Sequence, residues 1–307
     1  MAKDITKKQH YVWRHYLSAW KNAHDDKTVW AGIIEKNSVL KLSLMDIAQS
    51  SYFYKLEVLS DDELNFLRKY SLTLSKNVQS IAYLIIYGYK LFTQLKNVEH
   101  GLDKDFEHEI SKIEMTTFET IQSQIELMGK DLLKCNNIND IENLTKKDET
   151  NLLYFLWVQY LRTKAMKDRV VTSLNEKQNL KNIGLKCWPF FNLVTALQIV
   201  EGMIKDNSYR FIFVSNIGEI PFITGDQPAI NLRGDVKDDN GYAKELELYY
   251  PLSPKSAIMI SFTAGDKFST IDADSDFAME KNEKIKEEAL YHIIGNEEKV
   301  LRDLLDC

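Results

Sequence analysis

The chain has 307 residues, enough to bury a substantial core in one large domain or two modest ones. Hydrophobic residues make up 44% and charged residues 27%, which excludes a largely disordered chain. The net charge of -6 argues against a scaffold covered in basic residues for nucleic acid, although a local basic cleft is compatible with it. Three widely spaced cysteines without a CxxC pair predict reduced thiols and a cytoplasmic protein. The most apolar stretch, residues 81–92, is too short to span a bilayer, so no membrane association is expected.

The first predicted element is a helix within residues 9–20, where large apolar side chains recur at i, i+3, i+4 and i+7: Trp13, Tyr16, Leu17 and Trp20. A small β-hairpin follows. Branched residues fill 28–34 and 39–42, and they flank the turn-forming pair Asn37-Ser38.

Helices dominate the chain up to about residue 206. Ser60 with Glu63 forms a capping-box pattern, and Thr145 with Asp148 is a second helix start. A break near residues 100–101 separates two helices of the 61–134 stretch. The helix from Thr145 is expected to reach about Val171, and a further helix covers about 191–204.

Short apolar runs separated by turn residues begin at about residue 207 and predict an antiparallel sheet of roughly four strands, up to about 265. Helical character returns over about 276–307. The expected fold is a single α+β domain over 1–307, with a helical part over about 1–206, a helical insertion over about 60–100, the sheet and C-terminal helices.

The familiar nucleotide-binding and hydrolase motifs are absent, so candidate chemistry rests on isolated polar residues. His10 lies near Arg14 and His15, and histidine suits proton transfer or metal ligation because it titrates near neutrality. In a continuous helix, His10 and Arg14 would share one face. The alternative is a structural hydrogen bond for one histidine and solvent exposure for the other.

Gln159 and Arg162 lie three residues apart on an otherwise apolar helix. An unpaired buried guanidinium is costly, so Arg162 must find a partner. It could bind a phosphate through two hydrogen bonds, or it could be locked to a carboxylate that holds the fold.

Two carboxylates complete the candidate set. Asp226 follows an apolar run in a Gly-Asp turn before Pro228, where it could hold a metal, orient a histidine, or bond its own backbone in an Asx turn. Glu114 shares a helix face with Glu107 and Ser111. Acids at this spacing usually face water, so a functional Glu114 would have to point inward.

These patches occur together and in order: His10-Tyr-Val, Tyr52-Phe-Tyr, Ile113-Glu114, Gln159-Tyr-Leu-Arg162-Thr, Thr224-Gly-Asp226-Gln-Pro and Pro251-Leu-Ser-Pro. In this the chain resembles the family called domain of unknown function 4238. Trp13 stands where that family usually has proline, and Gln227 where an asparagine is common. The resemblance implies a bacterial protein from anti-phage defence loci, but it implies no particular reaction.

Two functions follow from this resemblance and from the residues. The first is a nuclease or phosphodiesterase that cleaves nucleic acid, RNA rather than duplex DNA. His10 would be its general acid or base, Arg162 would stabilise charge on the phosphate, and Gln159 would position it. Glu114 and Asp226 would orient His10 or hold a divalent metal, Mg or Mn. The alternative is a non-catalytic sensor or adaptor that binds a phage protein or a nucleotide. An enzyme acting on a nucleotide or a protein instead of a polymer also stays open.

Overall fold

The computed structural model describes residues 7–22, 25–98, 103–173, 178–237 and 243–306. Within these ranges the chain forms a mixed α+β fold. The α-helices are α1 Arg14–Leu17, α2 Asp61–Ser71, α3 Lys76–Val98, α4 Lys104–Met128, α5 Asn139–Glu142, α6 Lys146–Leu161, α7 Lys164–Ser173, α8 Gln178–Lys186, α9 Trp188–Asp206, α10 Ser275–Glu288 and α11 Glu298–Asp306. The strands are β1 Lys8–His10, β2 Lys21–Asn22, β3 Asp25–Ile33, β4 Ser38–Ser43, β5 Gln49–Ser51, β6 Arg210–Asn216, β7 Thr224–Gly225, β8 Ile230–Asn231, β9 Glu247–Ser253, β10 Ser256–Ser261, β11 Phe268–Ala273 and β12 His292–Gly295.

The N-terminal segment is helical over only part of residues 9–20, where a helix was predicted. Strand β1 comes first and pairs antiparallel with β5, so His10 lies at a strand end and shares no helix face with Arg14. Helix α1 begins only at Arg14, after Trp13 with φ of −61°, close to the value that proline would impose. The apolar spacing was correct for Tyr16, Leu17 and Trp20, which are all buried.

The helical part follows its local signals closely. Ser60 and Glu63 form the reciprocal capping box at the start of α2, and the Thr145 side chain caps α6. Helix α6 ends at Leu161 and α7 starts afresh at Lys164, so the helix predicted to run to about residue 171 is interrupted. The predicted break at residues 100–101 lies outside the described residues, between α3 and α4.

The main sheet has strand order β11-β6-β10-β9-β8. It contains five strands, where about four antiparallel strands were expected. Strand β11 pairs parallel with β6, and the other pairs are antiparallel. Alternate residues of β6 enter two different hydrophobic cores: Phe211 and Phe213 face the large helical core, and Ile212 and Val214 face a smaller core with α10 and α11. Both faces of this sheet are therefore buried.

A second sheet combines distant parts of the chain. The predicted hairpin β3–β4 is present, with Asn37 in the left-handed conformation at φ of 45°. Strand β3 also pairs with β2 and with β12, which lies between the C-terminal helices and was not predicted, and β12 pairs with β7. Strands thus occur well outside residues 207–265. In the described ranges, every helix is too short or too polar to cross a membrane.

Candidate functional site

The orientation of His10 on strand β1 is fixed by its neighbour Gln9. The Gln9 side chain is fully buried, donates a hydrogen bond to the Met115 carbonyl at 2.8 Å and accepts one from the Tyr54 amide at 2.7 Å. Because successive strand residues point to opposite faces, fixing Gln9 in the core turns His10 to the other side. His10 therefore lies on the wall of a cavity.

That cavity is open to solvent and has a volume of about 990 Å³. It is built where β1, α1, the start of β3, the segment after β4 and one face of α4 meet. Its lining combines histidines, aromatic rings and charges of both signs, and among its residues are Lys8, His10, Trp13, Arg14, His15, Asp26, Lys27, Asp46, Tyr54, Glu119, Gln122, Ser123 and Glu126.

His10 is suited to accept a proton at neutral pH. Its pKa is lowered chiefly by burial and further by the positive charges of Arg14 and Arg162, while contacts with the backbone of Leu44 and Met45 oppose the shift. Its Nε2 atom is buried and has no hydrogen-bond partner among the described residues.

Helix α4 contributes a polar face that the sequence reasoning missed. Glu119, Gln122, Ser123 and Glu126 fall at i, i+3, i+4 and i+7, and all four line the cavity. The same spacing of polar residues is present in the sequence, next to the similar set Glu107, Ser111 and Glu114 on this helix. Burial raises the pKa of Glu119, and no ion pair of this carboxylate occurs within the described part of the chain.

Arg162 lies behind the cavity wall. Its side chain is 0% exposed, and its Nη2 atom lies 2.8 Å from Glu126 Oε1. Its Nη1 donates to Gln122 Oε1 at 3.3 Å. The guanidinium is enclosed and paired with a carboxylate, which is the alternative to phosphate binding that the sequence left open. It fixes two residues of the wall and does not itself reach the cavity.

Gln159 is also enclosed. It lies three residues before Arg162 on α6, is 0% exposed and does not line the cavity. Neither its amide oxygen nor its amide nitrogen has a hydrogen-bond partner among the described residues. Since buried amides usually find partners, these two atoms are an anomaly of the helix interior for which the described contacts give no account.

Glu114 does not line the cavity either. Its carboxylate forms ion pairs with Lys55 at 2.8 Å and Lys96 at 3.2 Å. Burial alone would raise the pKa of Glu114, but the hydrogen bonds from the two lysines outweigh it and lower the pKa. The side chain points inward, as a functional role required, but its partners tie α4 to neighbouring segments.

Asp226 holds a different part of the fold. Its two carboxylate oxygens accept hydrogen bonds at 2.8 Å from the backbone amides of Leu290 and Tyr291, which precede β12. Burial nevertheless raises the pKa of Asp226 to about 6. The nearest histidine partner is His292, whose Nδ1 lies 3.9 Å from Oδ2, and not His10. Asp226 does not line the cavity.

The structure thus brings together only some of the predicted site residues. His10 lines the cavity, Arg162 supports its wall, and Gln159, Glu114 and Asp226 lie elsewhere. Glu114 and Asp226, which could have held a divalent metal, are each engaged by other groups. In the ranges that the structure covers, no group of three histidine, cysteine or acidic side chains stands in a position to hold a metal ion.

Comparison with known families places the chain. The model of the family described as Protein of unknown function (DUF4238) matches residues 8–187, more than half of the chain, and the chain belongs to that family. The match includes β1, α4 and α6, and with them His10, Glu119 and Arg162. Asp226 and the Pro251–Pro254 motif lie beyond it. Comparison with curated proteins and with solved structures gives no match.

Proposed function

We propose that the protein is a bacterial anti-phage defence enzyme that cleaves single-stranded RNA in the His10 cavity. The single observation that carries the proposal is the state of His10. Its imidazole has a lowered pKa and an unpartnered Nε2, and it shares an open cavity with the half-buried acid Glu119 and the exposed cation Arg14. A neutral imidazole and a carboxyl group with a raised pKa that line the same cavity are groups suited to acid–base catalysis.

The reaction that these residues support is an internal transfer at phosphorus. The His10 imidazole would take the proton from a ribose 2′-hydroxyl bound in the cavity, and the 2′-oxygen would form a bond to the neighbouring phosphorus. The bond from phosphorus to the 5′-oxygen would break, and the Glu119 carboxyl, which has to be protonated for this step, would give its proton to that oxygen. The products are a 2′,3′-cyclic phosphate and a 5′-hydroxyl. This step requires the 2′-hydroxyl, so it distinguishes RNA from DNA.

The charges around the cavity favour a short single-stranded segment over a duplex. Arg14 and Lys27 are exposed and form no ion pair within the described ranges, so they are available to phosphates. Lys8 is paired with Asp46 at 3.5 Å. The lining has four acids against three lysine and arginine residues, which leaves no broad basic surface of the kind that binds duplex DNA.

The test incubates purified protein with single-stranded RNA, single-stranded DNA and plasmid, with and without magnesium or manganese. We expect RNA to be cut to cyclic phosphate ends and both DNA substrates to stay intact. His10→Ala should reduce cleavage at least about 100-fold, the usual loss when a general base is removed. His108→Ala, which changes an exposed histidine of α4 outside the cavity, is the matched control and should retain full activity.

The pH dependence and a second variant sharpen the test. Because His10 must be neutral and Glu119 protonated in this step, kcat/KM should follow a bell-shaped pH profile. The midpoint of the rising limb, set by His10, should lie below 6.5, the ordinary pKa of histidine, and the midpoint of the falling limb, set by Glu119, should lie above 4.5, the ordinary pKa of glutamate. Glu114→Gln should leave kcat unchanged, since Glu114 pairs with two lysines away from the cavity. Intact RNA after incubation with folded wild-type protein, or equal cleavage by wild type and His10→Ala, would refute the proposal.

A non-catalytic sensor or adaptor is the second candidate, and the burial of Arg162 favours it. Arg162 belongs to one of the family motifs, but it is enclosed and paired with Glu126, so its first role is structural. The cavity would then bind a nucleotide or a segment of a phage protein without turning it over. Absence of RNA cleavage, together with undiminished protection against phage in cells that carry His10→Ala, would favour this function.

A further inference from the structure

Helix α3 carries an apolar stripe that stays largely exposed in the described part of the chain. Leu84 is 70% exposed, and Ile81, Leu91 and Val98 are exposed as well. The stripe follows a spacing of three and four residues over almost the whole helix: Ile81, Leu84, Gly88, Leu91, Leu95 and Val98. This is the a/d spacing of a helix that packs along another helix.

A groove lies beside the stripe. It is formed between α3 and α4, has a volume of about 320 Å³ and is lined almost entirely by apolar side chains, with Ile85, Ile113 and Ile121 among them. Gly88 lies in the middle of this surface, and a Cβ atom at that position would meet nothing within 4 Å. The groove and the glycine together leave room for the backbone of another helix to approach closely.

The charges indicate which helix fits. Helix α3 contains three lysines and no acid. Helix α4 begins six residues after α3 ends, and its first two turns expose three acids, Asp105, Glu107 and Glu109, against one lysine, Lys104. Glu109 also forms an ion pair with Lys112 at 3.6 Å, so Asp105 and Glu107 are the acids left for a partner. If a second α3 ran antiparallel and crossed at Gly88, Lys76 of each copy would lie near the acidic start of α4 in the other copy. A parallel pair would instead place Lys76 beside Lys76 and Lys90 beside Lys90, which is unfavourable.

We propose that α3 and the groove between α3 and α4 form a two-fold interface with a second copy of this chain, antiparallel across Gly88. Such an interface is self-complementary, as closed symmetry requires, because the same stripe serves both copies. It uses a face of α4 different from the one that lines the His10 cavity. Self-association and RNA cleavage can therefore be tested independently.

The first test measures the mass of the full chain by sedimentation equilibrium at increasing protein concentration. We expect a monomer–dimer equilibrium, and Leu84→Lys should raise its dissociation constant at least about tenfold, as expected for a central apolar contact. The control is Ile217→Lys, since Ile217 is 68% exposed but follows β6 and lies outside this surface. Circular dichroism of both variants confirms that they are folded.

The second test addresses the geometry. In an antiparallel pair crossing at Gly88, Gly88→Cys should give a disulfide-linked dimer under mild oxidation, and Ile217→Cys should not. Raising the salt concentration should weaken the dimer, because the Lys76 contacts are exposed. A wild-type chain that is monomeric at every concentration overturns the proposal. So does a dimer that Leu84→Lys leaves unchanged or that Gly88→Cys fails to cross-link.

Discussion

Replacement of Arg162 by methionine should lower the free energy of unfolding by about 3 kcal/mol. Removing one partner of a buried ion pair costs about 3–5 kcal/mol, because the remaining charge stays without compensation. Here the remaining charge is Glu126, whose side chain is 16% exposed and can regain part of its hydration. The expected loss therefore falls at the lower end of that range. Methionine retains much of the packing, so the lost charge and hydrogen bonds dominate.

The measurement is urea unfolding of the wild type, Arg162→Met, Glu126→Gln and the double variant. Because the two side chains lie 2.8 Å apart, the double variant should be less destabilised than the sum of the single variants, by about 1–3 kcal/mol. A loss below about 1 kcal/mol for Arg162→Met, or additive effects in the double variant, would refute the assignment of Arg162 as the structural partner of Glu126.

Two further predictions concern stability. The pKa of Asp226 is raised from 3.8 to about 6 in the folded protein, so on raising the pH the carboxyl ionises in the unfolded chain first. The protonated carboxyl therefore contributes to the free energy of unfolding. This contribution is complete below pH 3.8 and is lost as the pH rises to about 6. Relative to Asp226→Asn, the wild type should thus lose stability between these pH values in thermal melts, and parallel pH profiles would contradict this. Gly129→Ala should lower the free energy of unfolding by about 1–3 kcal/mol, since the added Cβ would lie 2.5 Å from the Phe155 ring. Gly202→Ala should raise it by up to about 1 kcal/mol, because the added Cβ meets nothing within 4 Å and alanine favours the helix. Equal urea midpoints for these two variants would show that the packing around Gly129 is looser than described.

The elements that sequence patterns predicted well are those whose hydrogen bonds close within a few residues. The capping box of Ser60 and Glu63 and the Thr145 cap need no distant partner, and both are present. The left-handed turn residue Asn37 likewise defines the hairpin β3–β4. Local chemistry suffices in these cases because the groups that satisfy the backbone lie beside it in the chain.

The candidate site depends on contacts between residues that lie far apart in the sequence. Strand β1 has only three residues, and its identity comes from pairing with β5 and from Gln9, which bonds Met115 across 106 positions of sequence. The apolar spacing of residues 13–20 was equally compatible with a helix that included His10. Only the pairing partner excluded that helix, since a three-residue strand has no stability of its own.

Amino-acid types and short-range order in the sequence were enough to establish the helical character, the caps, the hairpin, the approximate place of the sheet and the family. The tertiary structure alone decided that Glu119 lines the cavity while Glu114 binds lysines, that Arg162 is enclosed, and that Asp226 bonds the segment before β12. The physical reason is that the environment of an ionisable group is set by whichever distant segments pack against it. Neither its burial nor its partner can be read from its immediate neighbours in the chain.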